Sequence, residues 1–490
     1  MSASKPPPVR DGSSSQEPPL WYACLQHPAT EFTQTPLPVL AGAIPAGLTG
    51  TLYRNGPARF ERGGTRVSHW FDGDGAVLAV SIAAGSAMGC YQYVKTREYL
   101  EEDRADCLLY GGYGTLPAVG LWNRMQRTIK NAANTSVLLL PDRLLALWEG
   151  GKPHGLNLET LETLGIDDLG FLGPQQTFSA HPKQDPVSGE IYNFGVSLGR
   201  EGQLFVYRCD RWGRLLRQTQ LPLKDIPLIH DFLLAGPYLV FCIPPVFLKN
   251  PLLILLGMKS YSDCLQWRPQ RGTQLLILDR ETLEVLQQQP LDPWFQWHVG
   301  NGYLTPSGHL DLTVMRYDTF QTNQFLKEVI TGYPHTEATA QFWQLTVDPH
   351  TGRVIQTQTL LEESCEFPVV PAQQVGLPQQ QTFFALQGDR ARPTDLLQDL
   401  GRYHHPTATL TRTALPPTHY PMEPIYVPSS DCPDRGWILS VLYDGDRHTS
   451  EVWIWDSDHL DADPLCRLGL PAVIPIGFHG QWQPRAGPGG

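Results

Sequence analysis

An all-β propeller, built from radially repeated blades, is the fold this sequence predicts, and three observations predict it. Gly 45 and Pro 44 are abundant while only 18% of residues are charged. Short alternating apolar stretches bounded by turn residues recur from about residue 50 to the C-terminus. Six polar residues in apolar or aromatic settings recur at similar long intervals: His181, His230, His298, Glu366, Glu423 and His479, separated by 49, 68, 68, 57 and 56 residues. A sustained period of this size marks a solenoid or propeller, with about four strands in each blade.

The opening stretch 1–20, MSASKPPPVRDGSSSQEPPL, is rich in Pro and Ser and lacks an apolar run. It predicts a disordered tail, not a signal peptide. No linker-like stretch interrupts residues 50–480, so 21–490 is expected to form a single domain. Segment 50–150, beginning GTLYRNGPARF, leaves room for one blade ahead of the six that the ladder marks, giving seven. The turns HPKQDPVSGEIY, YRCDRWGRLLR, TPSGHLDL and TVDPHTGRV each read as strand, turn, strand. Closure by pairing of N- and C-terminal strands is expected. One amphipathic helix is predicted over 120–134, GLWNRMQRTIKNAAN. Residues 238–258 are the most apolar stretch, but Pro244, Pro245 and Pro251 break it too often for a spanning helix.

A net charge of −12 argues against a nucleic-acid partner. Nine cysteines without a C-x-x-C pair read as reduced thiols in a cytoplasmic protein. DGDG (72–75) lacks the remaining ligands of a calcium loop and reads as a turn. Of the 15 histidines, His27, His335, His350, His404, His405, His419 and His459 lie in polar, turn-like surroundings and receive no role. The four on the ladder could converge on the propeller axis and bind a transition metal through neutral imidazoles. Such a site has no carboxylate on the metal, so outer carboxylates must fix each imidazole. Glu366 and Glu423 are placed for this, and Glu149 in LLALWEGG is a third candidate. Spacing alone leaves a metal site and ordinary core histidines equally open.

The settings of these residues resemble the carotenoid cleavage oxygenase family over nearly the whole chain from Trp21. The motifs are LTGTLYRNGPARF (48–60), HWFDGDGAV (69–77), KNAANTS (130–136), LLALWEGGKPH (144–154), SAHPKQD (179–185), IHDF (229–232), CEFPVVPAQQVG (365–376), EPIYVP (423–428), RHTSEVWIWD (447–456) and IGFHGQW (476–482). The chain looks most like bacterial members acting on apocarotenoids. The resemblance implies a seven-bladed propeller with loop and helix insertions forming a dome over its top face, and one Fe(2+) on its axis. It implies His181, His230, His298 and His479 as iron ligands, Glu149, Glu366 and Glu423 as their supporting carboxylates, and Thr135 beside the oxygen-binding position. QWHVGNGYL around His298 departs from the family pattern, although His298 and Asn301 remain.

The chemistry so implied is oxidative cleavage of one conjugated C=C bond by O2, with both oxygen atoms ending in carbonyl products. The central 15,15′ bond of an apocarotenal or apocarotenol, yielding retinal, is the expected target. Phe71, Trp148, Phe232, Trp297, Phe367 and Phe478 are candidates to line an apolar tunnel, Phe232 foremost because it stands two residues from His230. Substrate would be drawn from a bilayer through a peripheral contact at 238–258, around Leu253, Ile254 and Leu256, and at 120–134. No obligate protein partner is expected. Two alternatives remain. One is a stilbene-cleaving oxygenase that grips a phenol through Tyr99 and Lys130; the other is a non-enzymatic propeller that binds proteins.

Overall fold

In the computed structural model, the described residues are 17–127, 129–197, 202–389, 391–429 and 435–485. Most of the predicted tail at 1–20 therefore lies outside the described residues. The fold is all-β and propeller-like, with few helices. All four sequence-predicted turns close antiparallel hairpins. Strands inside the sheets are buried on both faces, as Ile191–Ser197 is, whereas outer strands such as Leu215–Leu223 alternate toward solvent.

Six sheets hold four or more strands. One has eight, and its two antiparallel halves meet at a single parallel pair, Ala235 and Gly302. A Cβ on Gly302 would stand 2.9 Å from the Ala235 Cβ, so glycine permits this close approach. Strand Gly50–Arg59 pairs with Gly480–Pro484, and Val39–Gly42 with Cys466–Gly469. The ring is thus closed by hydrogen bonds between the two ends of the chain. Between neighbouring sheets lie apolar cores, one built on Phe194, Phe232 and Phe241, whose rings lie 5.1–5.6 Å apart. Burying each such ring stabilises the fold by about 1.5–3 kcal/mol.

The helix expected over 120–134 is reduced to Leu121–Met125. Beyond it, side chains take over the backbone: Asn131 and Asn134 amides donate to main-chain carbonyls, which competes with helical hydrogen bonding. Lys130, the candidate phenol contact of the stilbene alternative, is buried, its Nζ 2.5 Å from Asp74 and 2.7 Å from Glu102. Arg62 also pairs with Asp74 at 2.8 Å. The DGDG stretch passes from the end of the short helix Trp70–Asp72 into strand Asp74–Ala83, and Asp72 accepts from the Tyr113 and Gly114 N–H groups and the Thr115 hydroxyl. Residues 238–258 fold as strands Tyr238–Ile243 and Val246–Leu248 followed by helix Pro251–Leu255. Among the described residues no helix is long and apolar enough to cross a membrane. The eight described cysteines are all unpaired.

Removing one partner from a buried ion cluster leaves charge uncompensated in a low-dielectric interior. Lys130→Met should therefore destabilise the protein by about 3–5 kcal/mol. Equilibrium urea denaturation checks this, and a loss below about 1 kcal/mol would contradict the role given to Lys130.

Candidate metal centre

Each histidine of the ladder sits just before the first, axis-facing strand of a sheet or half-sheet. His181 precedes Lys183–Gln184, His230 precedes Leu233–Ala235, His298 precedes Val299–Leu304 and His479 precedes Gly480–Pro484. Glu366 lies in Cys365–Val369, Glu423 precedes Ile425–Pro428, and Glu149 follows Leu144–Leu147. The backbone at each point is anchored. The Ser179 hydroxyl accepts the His181 N–H, and the Thr135 carbonyl accepts that of His479. Asn55, on the strand that closes the ring, donates to the His479 carbonyl.

The four imidazoles converge. Ring centroids lie 4.4 Å apart for His181 and His230, 4.8 Å for His181 and His479, 4.8 Å for His298 and His479, and 5.2 Å for His298 to His181 or His230. His181 belongs to two groups whose donor atoms all lie within 4.8 Å of one another, one with His298 and His479, the other with His230 and Glu149. Glu366 Oε2 is 2.5 Å from His298 Nδ1, and Glu423 Oε1 is 2.8 Å from His479 Nδ1. Glu149 Oε1 stands 3.5 Å from both His230 Nδ1 and His181 Nε2.

The carboxylates decide the tautomers. With Nδ1–H donated to Glu366 and Glu423, His298 and His479 each present a bare Nε2 lone pair, and these two nitrogens are 3.1 Å apart. Two lone pairs at that distance repel unless a cation lies between or beside them. Buried His181 Nε2 likewise has no hydrogen-bond partner among the described residues. An unsatisfied buried nitrogen costs about 1–3 kcal/mol, which metal ligation would remove. The donor set therefore fits a divalent transition metal.

Charge states follow the same logic. Burial, then the neighbouring imidazoles, holds His181 and His230 well below the usual histidine range. Burial lowers His479 too, against the pull of Glu423. Burial also opposes charge on His298, but the hydrogen-bonded Glu366 carboxylate outweighs it and raises that ring. Burial would raise Glu423, yet His479 and Arg54 hold it below the usual carboxylate range. Burial and then Asp231 push Glu149 well up. Its side chain keeps 28% of its surface because it faces an internal cavity, not bulk solvent.

That cavity, about 780 Å³, contains the site. Thr135 lines it, as do Phe71, Trp148, Trp297, Phe367 and Phe478. Phe232 does not, and packs fully buried between Phe194 and Phe241. The rule that residues two apart share a face holds within a strand. His230–Phe232 precedes strand Leu233–Ala235, so the rule fails there. Tyr99 and Lys130 also miss the cavity wall; Tyr99 stacks on Tyr93 at 5.3 Å.

Sequence reasoning missed several supports. Arg54 donates to the main-chain carbonyls of Glu423 (2.6 Å) and Phe478 (2.8 Å), clamping His479 and its carboxylate from behind. Tyr317 donates to Glu366 Oε1 at 3.0 Å. Asp231 accepts the Val299 N–H and pairs with Lys183 at 2.8 Å. Phe367 has φ +59°, a left-handed conformation costly for a bulky residue, and its ring lies 5.2 Å from that of His298 and 5.4 Å from that of His479. The motifs GTLYRNGPARF and IHDF contain Arg54 and Asp231, but nothing in them tells where those charges point.

A family model described as Retinal pigment epithelial membrane protein matches residues 25–484. Apocarotenoid-15,15′-oxygenase of Synechocystis sp. is 32% identical, covering 98% of this chain and 99% of that protein. Resveratrol cleavage oxygenase 1 of Aspergillus fumigatus is 26% identical, covering 90% and 91%. Among solved structures, cobalt-substituted Synechocystis ACO superimposes with a TM-score of 0.88 at 32% identity, over 95% of this chain and 98% of that one.

Replacing a carboxylate that orients a metal-binding imidazole costs affinity without removing a ligand. Glu423→Gln should weaken divalent-metal affinity about 10- to 100-fold, read by competition with a chelator. Unchanged affinity would detach Glu423 from the site.

Proposed function

The chain belongs to the carotenoid cleavage oxygenase family, whose model bears the Retinal pigment epithelial membrane protein description, and from that membership we propose that it is an Fe(2+) dioxygenase cleaving one conjugated C=C bond of an apocarotenoid. The observation that carries the proposal is the meeting of four buried imidazoles, backed by three carboxylates, beside an aromatic cavity whose wall includes His230, His298 and His479. Its full-length likeness to the Synechocystis enzyme favours the central 15,15′ bond, with retinal as one product.

His181, His230, His298 and His479 would hold the iron, and Glu149, Glu366 and Glu423 would keep their rings turned inward. When bound, ferrous iron supplies the activation of dioxygen that no side chain can supply. The chain's own contribution is positional. Phe71, Trp148, Trp297, Phe367 and Phe478 present flat apolar faces along which a rigid polyene can lie, and they exclude water from the reacting bond. Phe71 meets Trp297 and Phe478 edge-on at 5.4 Å each, which fixes the width of the wall. Trp297 is itself held by its indole N–H, donated to Thr322 at 3.0 Å. Thr135 lines the cavity, and its proposed place is beside the oxygen-binding position. No protein nucleophile or general base is required.

Reading the eight-stranded sheet as two four-stranded blades hinged at Ala235–Gly302 supports seven blades in one domain from residue 21 onward. The stilbene reading draws support from the resveratrol-cleaving relative. The location of Tyr99 and Lys130 outside the cavity wall weighs against a phenol clamp made from them. A non-enzymatic platform would leave the inward-turned imidazoles without a purpose.

Helices Leu121–Met125 and Pro251–Leu255 lie close together, Gly257 resting against Arg124. Leu121, Trp122 and Met125 on one side, with Leu252, Leu255 and Met258 on the other, are exposed, Trp122 and Leu255 each at 73%. This patch is the proposed peripheral contact with a bilayer. Leu253, Ile254 and Leu256, the residues the sequence singled out, are half-buried and contribute less.

Protein purified without oxygen and reconstituted with Fe(2+) should convert an apocarotenal to two carbonyl products, identified by mass spectrometry. His230→Ala should lose both iron and turnover, and full activity in that variant would overturn the assignment. Replacing Trp122, Leu252 and Leu255 together by Ser should reduce sedimentation with liposomes while iron content stays unchanged. Undiminished sedimentation would remove this patch from the account.

A further inference from the structure

Four tyrosines line the central cavity: Tyr113, Tyr261, Tyr317 and Tyr420. The hydroxyls of three are committed to protein partners. Tyr113 donates to Asn323 Oδ1 at 2.9 Å, Tyr317 donates to Glu366, and Tyr420 meets the side chain of Gln398. The Tyr261 hydroxyl forms no hydrogen bond among the described residues. Its oxygen keeps accessible surface, unlike the sealed and unpartnered indole nitrogens of Trp21 and Trp70. Surrounding protein buries the phenol deeply enough to push its pKa up, so the surface it keeps faces the cavity and the group stays protonated. A buried donor without a protein partner costs free energy that an acceptor on a ligand removes.

The ring is placed by its neighbours. Trp297, Phe71, Tyr113 and Tyr261 form a row along the cavity wall, successive ring centroids 5.4, 5.5 and 5.6 Å apart. The Ser262 N–H donates to the Tyr113 carbonyl at 2.7 Å, and Asn323 joins the Tyr113 hydroxyl to that of Ser262. Tyr261 is thereby held at one end of the row. Trp297 stands at the other end, its ring 4.9 Å from that of His230. A polyene lying along this row passes the metal centre near Trp297 and reaches the Tyr261 hydroxyl with its terminus.

We propose that the Tyr261 hydroxyl is a specificity-determining donor to the terminal oxygen of the polyene, favouring a carbonyl- or hydroxyl-ended chain over a hydrocarbon one. The inference rests on the cleavage-oxygenase reading and names a residue that selects its substrate. An aldehyde or alcohol oxygen accepts an O–H hydrogen bond, whereas a methyl terminus leaves the buried donor unpaired. A site built to bond a polar group rejects the analogue lacking it for that reason.

The test binds a β-apocarotenal, its aldehyde carbon labelled with 13C, to iron-reconstituted full-length protein without oxygen. Infrared difference spectra against the unlabelled compound isolate the carbonyl stretch, which a donated hydrogen bond lowers. In the native protein that band should lie below its frequency in an alkane solvent. In Tyr261→Phe it should return to the alkane value. This variant keeps the ring that packs on Tyr113 and should retain its iron. Its affinity for the aldehyde, read by quenching of tryptophan fluorescence, should fall about three- to tenfold. Affinity for the polyene hydrocarbon of equal length should not fall. A native band at the alkane frequency, or a lowered band that survives in Tyr261→Phe, would overturn the proposal. Equal loss of affinity for aldehyde and hydrocarbon would reduce Tyr261 to packing and overturn it too. Turnover lost in Tyr261→Phe with the carbonyl band unchanged would place the hydroxyl at the reacting bond, against this assignment. A Tyr261-dependent band in protein that does not cleave the aldehyde supports the contact and defeats only the oxygenase reading.

Discussion

Four imidazoles must be kept neutral, dry and turned toward one point, and the rest of this structure answers to that constraint. Hydrogen bonds from Nδ1 of His298 and His479 to Glu366 and Glu423 fix both tautomer and ring direction. Their Nε2 atoms are left facing each other at 3.1 Å, an arrangement that a bound cation satisfies. Glu149 serves the remaining pair at a looser 3.5 Å. A donor set without a carboxylate on the metal depends on this outer ring for its negative charge.

The fold supplies what side chains alone could not. Each of the four imidazoles comes from a different strand entrance, so no local motif can hold the site and only ring closure can. The closing pair, Gly50–Arg59 with Gly480–Pro484, brings Arg54 and Asn55 against the segment that carries His479. Ring closure and metal geometry are therefore linked through the same strand. Phe367, held in the left-handed region, places its ring against two of the imidazoles.

Much of this was legible in the sequence because propeller strands recur at intervals, and residues at equivalent strand entrances inherit that interval. The ladder reported the all-β, propeller-like fold and placed the four histidines and two of the carboxylates. Glu149 broke the period because it follows its strand instead of preceding the first strand of its sheet, and its motif, not its spacing, found it. Properties that depend on irregular backbone were not legible. Phe232 was placed in the cavity by a strand rule that does not apply before a strand begins. The 120–134 helix was read from periodicity, although Lys130 is drawn inward by Asp74 and Glu102 and the asparagines cap loops. Arg54 and Tyr317 act on main-chain or remote carboxylate atoms, contacts that no linear pattern encodes.

The central claim is that four imidazoles, and no protein carboxylate, hold the metal while carboxylates hold the imidazoles. X-ray absorption at the iron edge of the Fe(2+)-reconstituted protein tests it most directly, because imidazole rings give a distinctive multiple-scattering pattern whose amplitude reports their number. The account predicts four imidazoles on the iron. A fit requiring two or three imidazoles with a protein carboxylate bound to the metal would contradict it.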